Sequence, residues 1–133
     1  MRIEDFDSNN LHPVFVYGTL RFNQGNWQWA LKDAQYLDTV TLRGFTMLDL
    51  GPFPGVVNGN HQVVGELYLI DDESLAALDR LEGHPHHYKR VWVNEVPSPY
   101  LDADGFWIYI YQQRDPEDTV IPHGDWLRHV QES

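Results

Sequence analysis

Val14-Phe15-Val16-Tyr17-Gly18-Thr19-Leu20-Arg21 is the stretch on which the reading of the whole chain turns. Three β-forming residues and a tyrosine run into a glycine, and a polar segment follows. This is the pattern of a buried strand that delivers a tight turn to the end of a sheet. Gly18 has no Cβ, which opens backbone angles closed to other residues and lets a ligand approach the main chain. Successive N–H groups in such a turn make a concave donor site for a carboxylate or a polarised carbonyl oxygen. Strands also run into glycine turns in proteins that bind nothing there, so these residues leave both readings open.

On the N-terminal side, residues 1–12 are polar around Asp7-Ser8-Asn9-Asn10 and read as a loosely held extension, with residues 13–133 as one domain. On the other side, Val14–Tyr17 is the first strand, and Trp27–Leu31 reads as a short helix with Asn26 at its N-cap. Gln35 to Asp49 reads as a strand interrupted by a bend or bulge at Arg43-Gly44. Gly51-Pro52-Phe53-Pro54-Gly55 has to be a loop. Asn58-Gly59-Asn60 predicts a hairpin turn, with Val63–Ile70 as the partner strand.

At Asp71-Asp72-Glu73-Ser74 the period changes. Leu75, Leu78 and Leu81 form the apolar stripe of a helix that Asp71 or Asp72 caps and Gly83 and Pro85 stop. Tyr88–Val96 and Phe106–Gln112 alternate as strands, and a polar loop leads to a short helix or turn at Asp125–Arg128. The pattern predicts an α+β domain: a small, mainly antiparallel β-barrel or strongly curled sheet of about five to six strands, with one main helix packed across it.

Composition narrows the function. The chain has 133 residues and a formal charge of −11, which argues against a phosphate-tracking nucleic-acid binder and against anionic membrane surfaces. It contains no cysteine, so disulfides, thiolate nucleophiles and cysteine-based zinc sites are excluded. The first residues lack the apolar run of a signal peptide, no stretch approaches a membrane span, and the expected setting is the cytoplasm. No Gly-x-Ser-x-Gly elbow or glycine-rich P-loop occurs, which disfavours serine hydrolase and nucleoside triphosphate chemistry. Nothing in the composition bears on oligomeric state.

Glu82 carries most information among the titratable groups. It ends a helix, where unpaired carbonyls disfavour a carboxylate by roughly 0.3–1 kcal/mol. That field raises a carboxyl pKa towards the range of a general base at neutral pH. The bland alternative is a side chain in water, or one paired with Arg80 or Lys89. His84-Pro85-His86-His87, with His61 and His123 elsewhere, lacks the ligand spacing of a metal site and reads as a solvated loop with no metal. Tyr109 and Tyr111 share a strand face with Trp107 and suit either core packing or the wall of a pocket.

Five segments in order, Val14–Arg21, Gly51-Pro52-Phe53-Pro54-Gly55, Val64-Gly65-Glu66-Leu67-Tyr68, Leu78-Asp79-Arg80-Leu81-Glu82-Gly83 and Tyr88-Lys89-Arg90, resemble the γ-glutamylcyclotransferase-like family, which includes γ-glutamylamine cyclotransferase and the AIG2-like proteins. The resemblance covers roughly residues 13–113. It implies a compact barrel-centred fold and a reaction in which the α-amine of a γ-glutamyl group attacks its own γ-carbonyl, leaving 5-oxoproline and a free amine. It implies Glu82 as the catalytic acid/base and a substrate-binding turn at Tyr17, Gly18, Thr19 and Leu20. Tyr88 and Tyr109 would form pocket walls. It requires no cofactor and no partner beyond a small γ-glutamyl substrate. Two other functions fit the same residues: a non-catalytic protein that binds a γ-glutamyl metabolite, and a hydrolase that releases free glutamate.

Overall fold

The computed structural model describes residues 11–22, 24–31 and 34–132. The strands are β1 (His12–Val16), β2 (Gln35–Asp49), β3 (Pro54–Ile70), β4 (Tyr88–Val93), β5 (Phe106–Tyr111) and β6 (Thr119–Ile121). The helices are α1 (Trp27–Ala30), α2 (Asp72–Leu81) and α3 (Trp126–Gln131). One six-stranded sheet has the order β4-β5-β1-β3-β2-β6. All its neighbours are antiparallel except β1 and β5, which run parallel. This is the expected α+β class with a mainly antiparallel sheet. The sheet stays open, with β4 and β6 at its edges, and does not close into a barrel. Among the described residues no helix is long and apolar enough to cross a membrane.

The central strand explains its own sequence. Val14 and Val16 of β1 join one apolar layer with Leu20, Leu31, Leu75 and Leu78, while Phe15 joins the layer on the other face with Leu42, Met47, Phe106 and Ile108. A strand covered on both faces reads as an unbroken apolar run, which is why Val14-Phe15-Val16 shows no polar alternation. Strand β5 divides in the same way: Phe106, Ile108 and Ile110 enter the second layer, and Trp107, Tyr109 and Tyr111 face the first.

Helix α2 covers the first layer. The Asp71 carboxylate accepts from the Ser74 N–H at 2.7 Å, Asp72 and Glu73 occupy the first turn, and Leu75 and Leu78 are buried. Gly83, at φ +64°, ends the helix. Its N–H donates to the Arg80 carbonyl and that of His84 to the Asp79 carbonyl, which closes a Schellman turn around Glu82.

Several boundaries differ from expectation. Asn58-Gly59-Asn60 is not a hairpin turn; it lies inside β3, which pairs with β2 along both their lengths. The reversal is at residues 50–53, where the Leu50 N–H donates to the Phe53 carbonyl at 3.1 Å. Asn58 and His61 both face Phe45, so the glycine segment is a bulge next to the one at Arg43-Gly44. Continuous pairing buries Val56, Val57 and Val63, and that outweighs the local turn preference. Strand β1 begins two residues before Val14, and β4 ends at Val93 instead of Val96. Asn26 precedes α1 but gives no side-chain cap, because its amide Nδ2 donates to Thr19 Oγ1 instead. Strand β6 lies in what reads as a polar loop. The expectation of a loose extension at residues 1–12 falls mostly outside the described residues.

Candidate active site

The turn after β1 is held from behind by a buried ion-pair network. Arg21 Nε donates to Glu66 Oε2 at 3.1 Å, and Arg21 Nη1 donates to Asp125 Oδ1 at 2.7 Å. The other Glu66 oxygen accepts from the Phe22 N–H at 2.7 Å and from the Tyr68 hydroxyl at 2.8 Å. Asp125 also caps α3, so one guanidinium ties the turn to β3 and to the last helix. Removing one partner from such a desolvated pair strands the other charge.

Gly18 serves here by its size, not by its backbone angles. It is absent from the left-handed glycines Gly44, Gly51, Gly83 and Gly124. A Cβ on Gly18 would lie 2.8 Å from Pro54 Cγ and 2.9 Å from Pro54 Cδ. The bare glycine therefore lets the turn pack on the start of β3. Among the described residues, the N–H groups of Gly18, Thr19 and Leu20 meet no backbone acceptor. That leaves three donors at the sheet end.

These residues open on a cavity of about 250 Å³, bounded by Tyr17, Gly18, Thr19 and Leu20 from the turn, Glu82 from the end of α2, and Tyr88 and Tyr109 from β4 and β5. The structure thus brings all seven sequence-nominated residues around one space. The volume lies below the range usual for drug-sized ligands and suits a small metabolite. Among the described residues, Glu82 is the only carboxylate and His87 the only imidazole in the lining, which holds no lysine or arginine.

The Glu82 carboxyl has no hydrogen-bond or ion-pair partner among the described residues, so neither Arg80 nor Lys89 takes it up. Burial pushes it up to about 7. The direction matches the sequence argument, and the cause is desolvation in the cavity wall.

The three phenols keep their protons. Burial first, then the nearby Tyr88 and Glu82, holds Tyr17 well above the usual phenol range. Burial likewise raises Tyr88, assisted by Glu82 and Tyr111, and raises Tyr109, assisted by its bond to Asp79. Each hydroxyl donates to protein: Tyr17 to the Tyr109 carbonyl at 2.6 Å, Tyr88 to the Pro54 carbonyl at 2.7 Å and Tyr109 to Asp79 Oδ1 at 2.7 Å. With their protons committed, these oxygens can only accept from a ligand.

The histidine loop is not uniformly solvated as its sequence suggests. His87 lines the cavity and its ring meets Phe53, Tyr88 and Tyr111, while His84 Nδ1 accepts from the Arg90 N–H at 3.0 Å. Only His86 of the three is exposed. Among the described residues no three His, Cys, Asp or Glu side chains group to hold a metal ion. Sequence reasoning also passed over Asn26, Phe53 and Pro54, which line the cavity too. The signal for the last two was their place in the Gly51–Gly55 segment of the resemblance.

An α+β domain with an open, mainly antiparallel sheet, whose first strand runs into a turn lining a small cavity together with the half-buried carboxyl of Glu82, is the class of protein that the fold and the site define. The family model described as gamma-glutamyl cyclotransferase, AIG2-like, matches residues 14–128, and the chain belongs to that family. It is 40% identical over 114 residues to the gamma-glutamylcyclotransferase family protein YtfP of Escherichia coli K12, covering 86% of this chain and 95% of that protein. The solution structure of E. coli ytfP superposes with a TM-score of 0.68 at 37% identity, covering 89% of this chain and 98% of the other. Bovine gamma-glutamylaminecyclotransferase is 35% identical over 134 residues, covering 91% of this chain and 78% of that protein.

Proposed function

We propose that this chain is a γ-glutamyl cyclotransferase that releases 5-oxoproline and an amine from a small γ-glutamyl amine or dipeptide, with Glu82 as general acid and base. One observation carries the reading: among the described residues, the single carboxyl of a small cavity has a pKa of about 7, and the same cavity is lined by Gly18, Thr19 and Leu20, whose N–H groups meet no backbone acceptor. An α-ammonium is not nucleophilic until it gives up a proton, and a carboxylate poised near neutrality can take it.

In the reaction, the α-nitrogen forms a bond to the γ-carbonyl carbon, and the bond from that carbon to the leaving nitrogen breaks. Glu82 takes one proton from the α-ammonium before attack and a second from the ring nitrogen after it, and passes both to the leaving nitrogen, which departs as an ammonium, so the step consumes no external proton. The N–H groups of Gly18, Thr19 and Leu20 hold the glutamyl group and stabilise the oxyanion of the tetrahedral centre. The phenol oxygens of Tyr17 and Tyr88 accept from the α-ammonium. Both reacting groups belong to one molecule, so orientation within the cavity supplies much of the rate.

The name of the bovine relative favours γ-glutamyl amines as the first compounds to try. The cysteine-free composition is compatible with work in the cytoplasm. The test is chromatography with mass detection after incubation with γ-glutamyl amines and γ-glutamyl dipeptides. 5-Oxoproline with no free glutamate is expected. Free glutamate would mean hydrolysis, and no product from folded protein would mean a binding function.

A further inference from the structure

We infer that Asp79 and Arg90 form a clamp that positions Glu82 for catalysis, with Asp79 as a positioning residue for the reaction. The inference rests on the cyclotransferase reading above and adds to it what fixes the base. Because the Glu82 carboxyl meets no partner among the described residues, its placement comes from the element that carries it.

That element is the last turn of α2, and Asp79 fastens it twice. Through its side chain, Asp79 Oδ1 accepts from Arg90 Nε at 2.8 Å and Oδ2 from Arg90 Nη2 at 3.0 Å, a two-pronged pair that ties the helix to β4. Through its main chain, the Asp79 carbonyl accepts the His84 N–H at 2.9 Å, which closes the turn around Glu82. His84 then returns to the clamp, its Nδ1 accepting from the Arg90 N–H.

Arg90 is itself fixed, with its guanidinium 4.2 Å from the centre of the Trp107 ring. The same Asp79 Oδ1 takes the proton of Tyr109, turning that hydroxyl towards the helix while the ring stays in the cavity wall. One carboxylate thus sets the end of the helix that bears the base and one wall of the site. Burial pushes the Asp79 carboxyl up, but the bonds from Arg90 and Tyr109 outweigh it and hold the group below its usual range, so it stays charged. A two-pronged, charge-assisted pair is geometrically strict, which suits it to holding a position.

The test uses Asp79→Asn, Arg90→Met and Arg90→Lys in the full chain, read by two independent measurements. The first is NMR titration of the Glu82 carboxyl in protein labelled with 13C-glutamate, assigned by Glu82→Gln. The groups facing Glu82 are Tyr17, Tyr88, Tyr109 and His87, with Asp79 and Arg90 behind them. If the clamp keeps Glu82 in its dry wall, its pKa falls in both Asp79→Asn and Arg90→Met, because water reaches the carboxyl in each.

A purely electrostatic role gives opposite shifts, down when Asp79 loses its charge and up when Arg90 does, and that result overturns the proposal. The second measurement is steady-state 5-oxoproline formation. Loss of position lowers kcat by about 10- to 100-fold with KM changed little. Arg90→Lys keeps the charge and loses the fork, so it too loses kcat. If Arg90→Met fails to fold, Asp79→Asn and Arg90→Lys decide. Full kcat in Arg90→Lys, or activity that falls only in step with the thermal midpoint, refutes positioning. If the wild type forms no 5-oxoproline, the cyclotransferase reading fails, and the titration still reads the clamp.

Discussion

Replacing Glu82 with glutamine should make the protein more stable above neutral pH while disabling it. Burial moves the Glu82 carboxyl from 4.5 to about 7 in the folded chain. The unfolded chain leaves it near its ordinary value. Between these two pKa values the folded state holds the extra proton, so stability falls as pH rises through that window. A displacement of this size corresponds to a loss of roughly 3 kcal/mol at pH 8, and less where the cavity admits water. Glutamine has a similar shape and no charge to desolvate. The assay is urea unfolding of wild type and Glu82→Gln at pH 4.5 and pH 8.5. Other titrating groups act equally in both proteins, so the difference between them isolates Glu82. Similar stabilities at the lower pH and a gain of about 1–3 kcal/mol for the variant at the higher pH are expected. The same pH dependence in both proteins would refute the claim that Glu82 titrates in a dry site.

Three further outcomes follow from the site. The general base must be ionised to act, so kcat/KM for 5-oxoproline formation should rise with pH through an apparent pKa near 7, read from a pH–rate profile. Gly18→Ala places a methyl 2.8 Å from Pro54 Cγ. It should destabilise by about 1–3 kcal/mol and lower kcat/KM by shifting the donor turn, as measured by thermal unfolding and kinetics. Arg21→Met leaves the buried Glu66 without its cation and should destabilise by about 3–5 kcal/mol in urea unfolding.

Local patterns exposed part of this molecule to sequence reading. Strand β1 is apolar on both faces and its turn is marked by Gly18, so both were legible, as were the Asp71 cap and the Gly83 stop of α2. Glu82 stood out because a carboxylate at a helix end opposes local electrostatics, yet its real environment is a wall assembled from β1, β4 and β5. That assembly has no local signal. Arg21 meets Glu66 and Asp125, 45 and 104 residues away, and no spacing rule reaches so far. The Asn58-Gly59-Asn60 segment misled for the opposite reason: its local preference is strong, and the pairing of β3 along β2 overrides it. Thr119-Val120-Ile121 are all β-branched, but three residues are too short a run to stand out in the sequence, and the strand is held by the pairing of Val120 and Ile121 with Leu48 and Met47. His87 looked like one of several loop histidines, and only its ring contacts with Phe53, Tyr88 and Tyr111 put it at the cavity.

The most direct test of the central claim is to compare turnover and ligand binding in wild type and Glu82→Gln. 5-Oxoproline formation from the best γ-glutamyl compound would be followed by mass detection, and binding of 5-oxoproline itself by calorimetry. Loss of a proton-transfer group predicts a fall in kcat of about 10²- to 10⁴-fold with binding retained. Turnover in the variant equal to that of the wild type would contradict the assignment of Glu82 as the group that moves the proton.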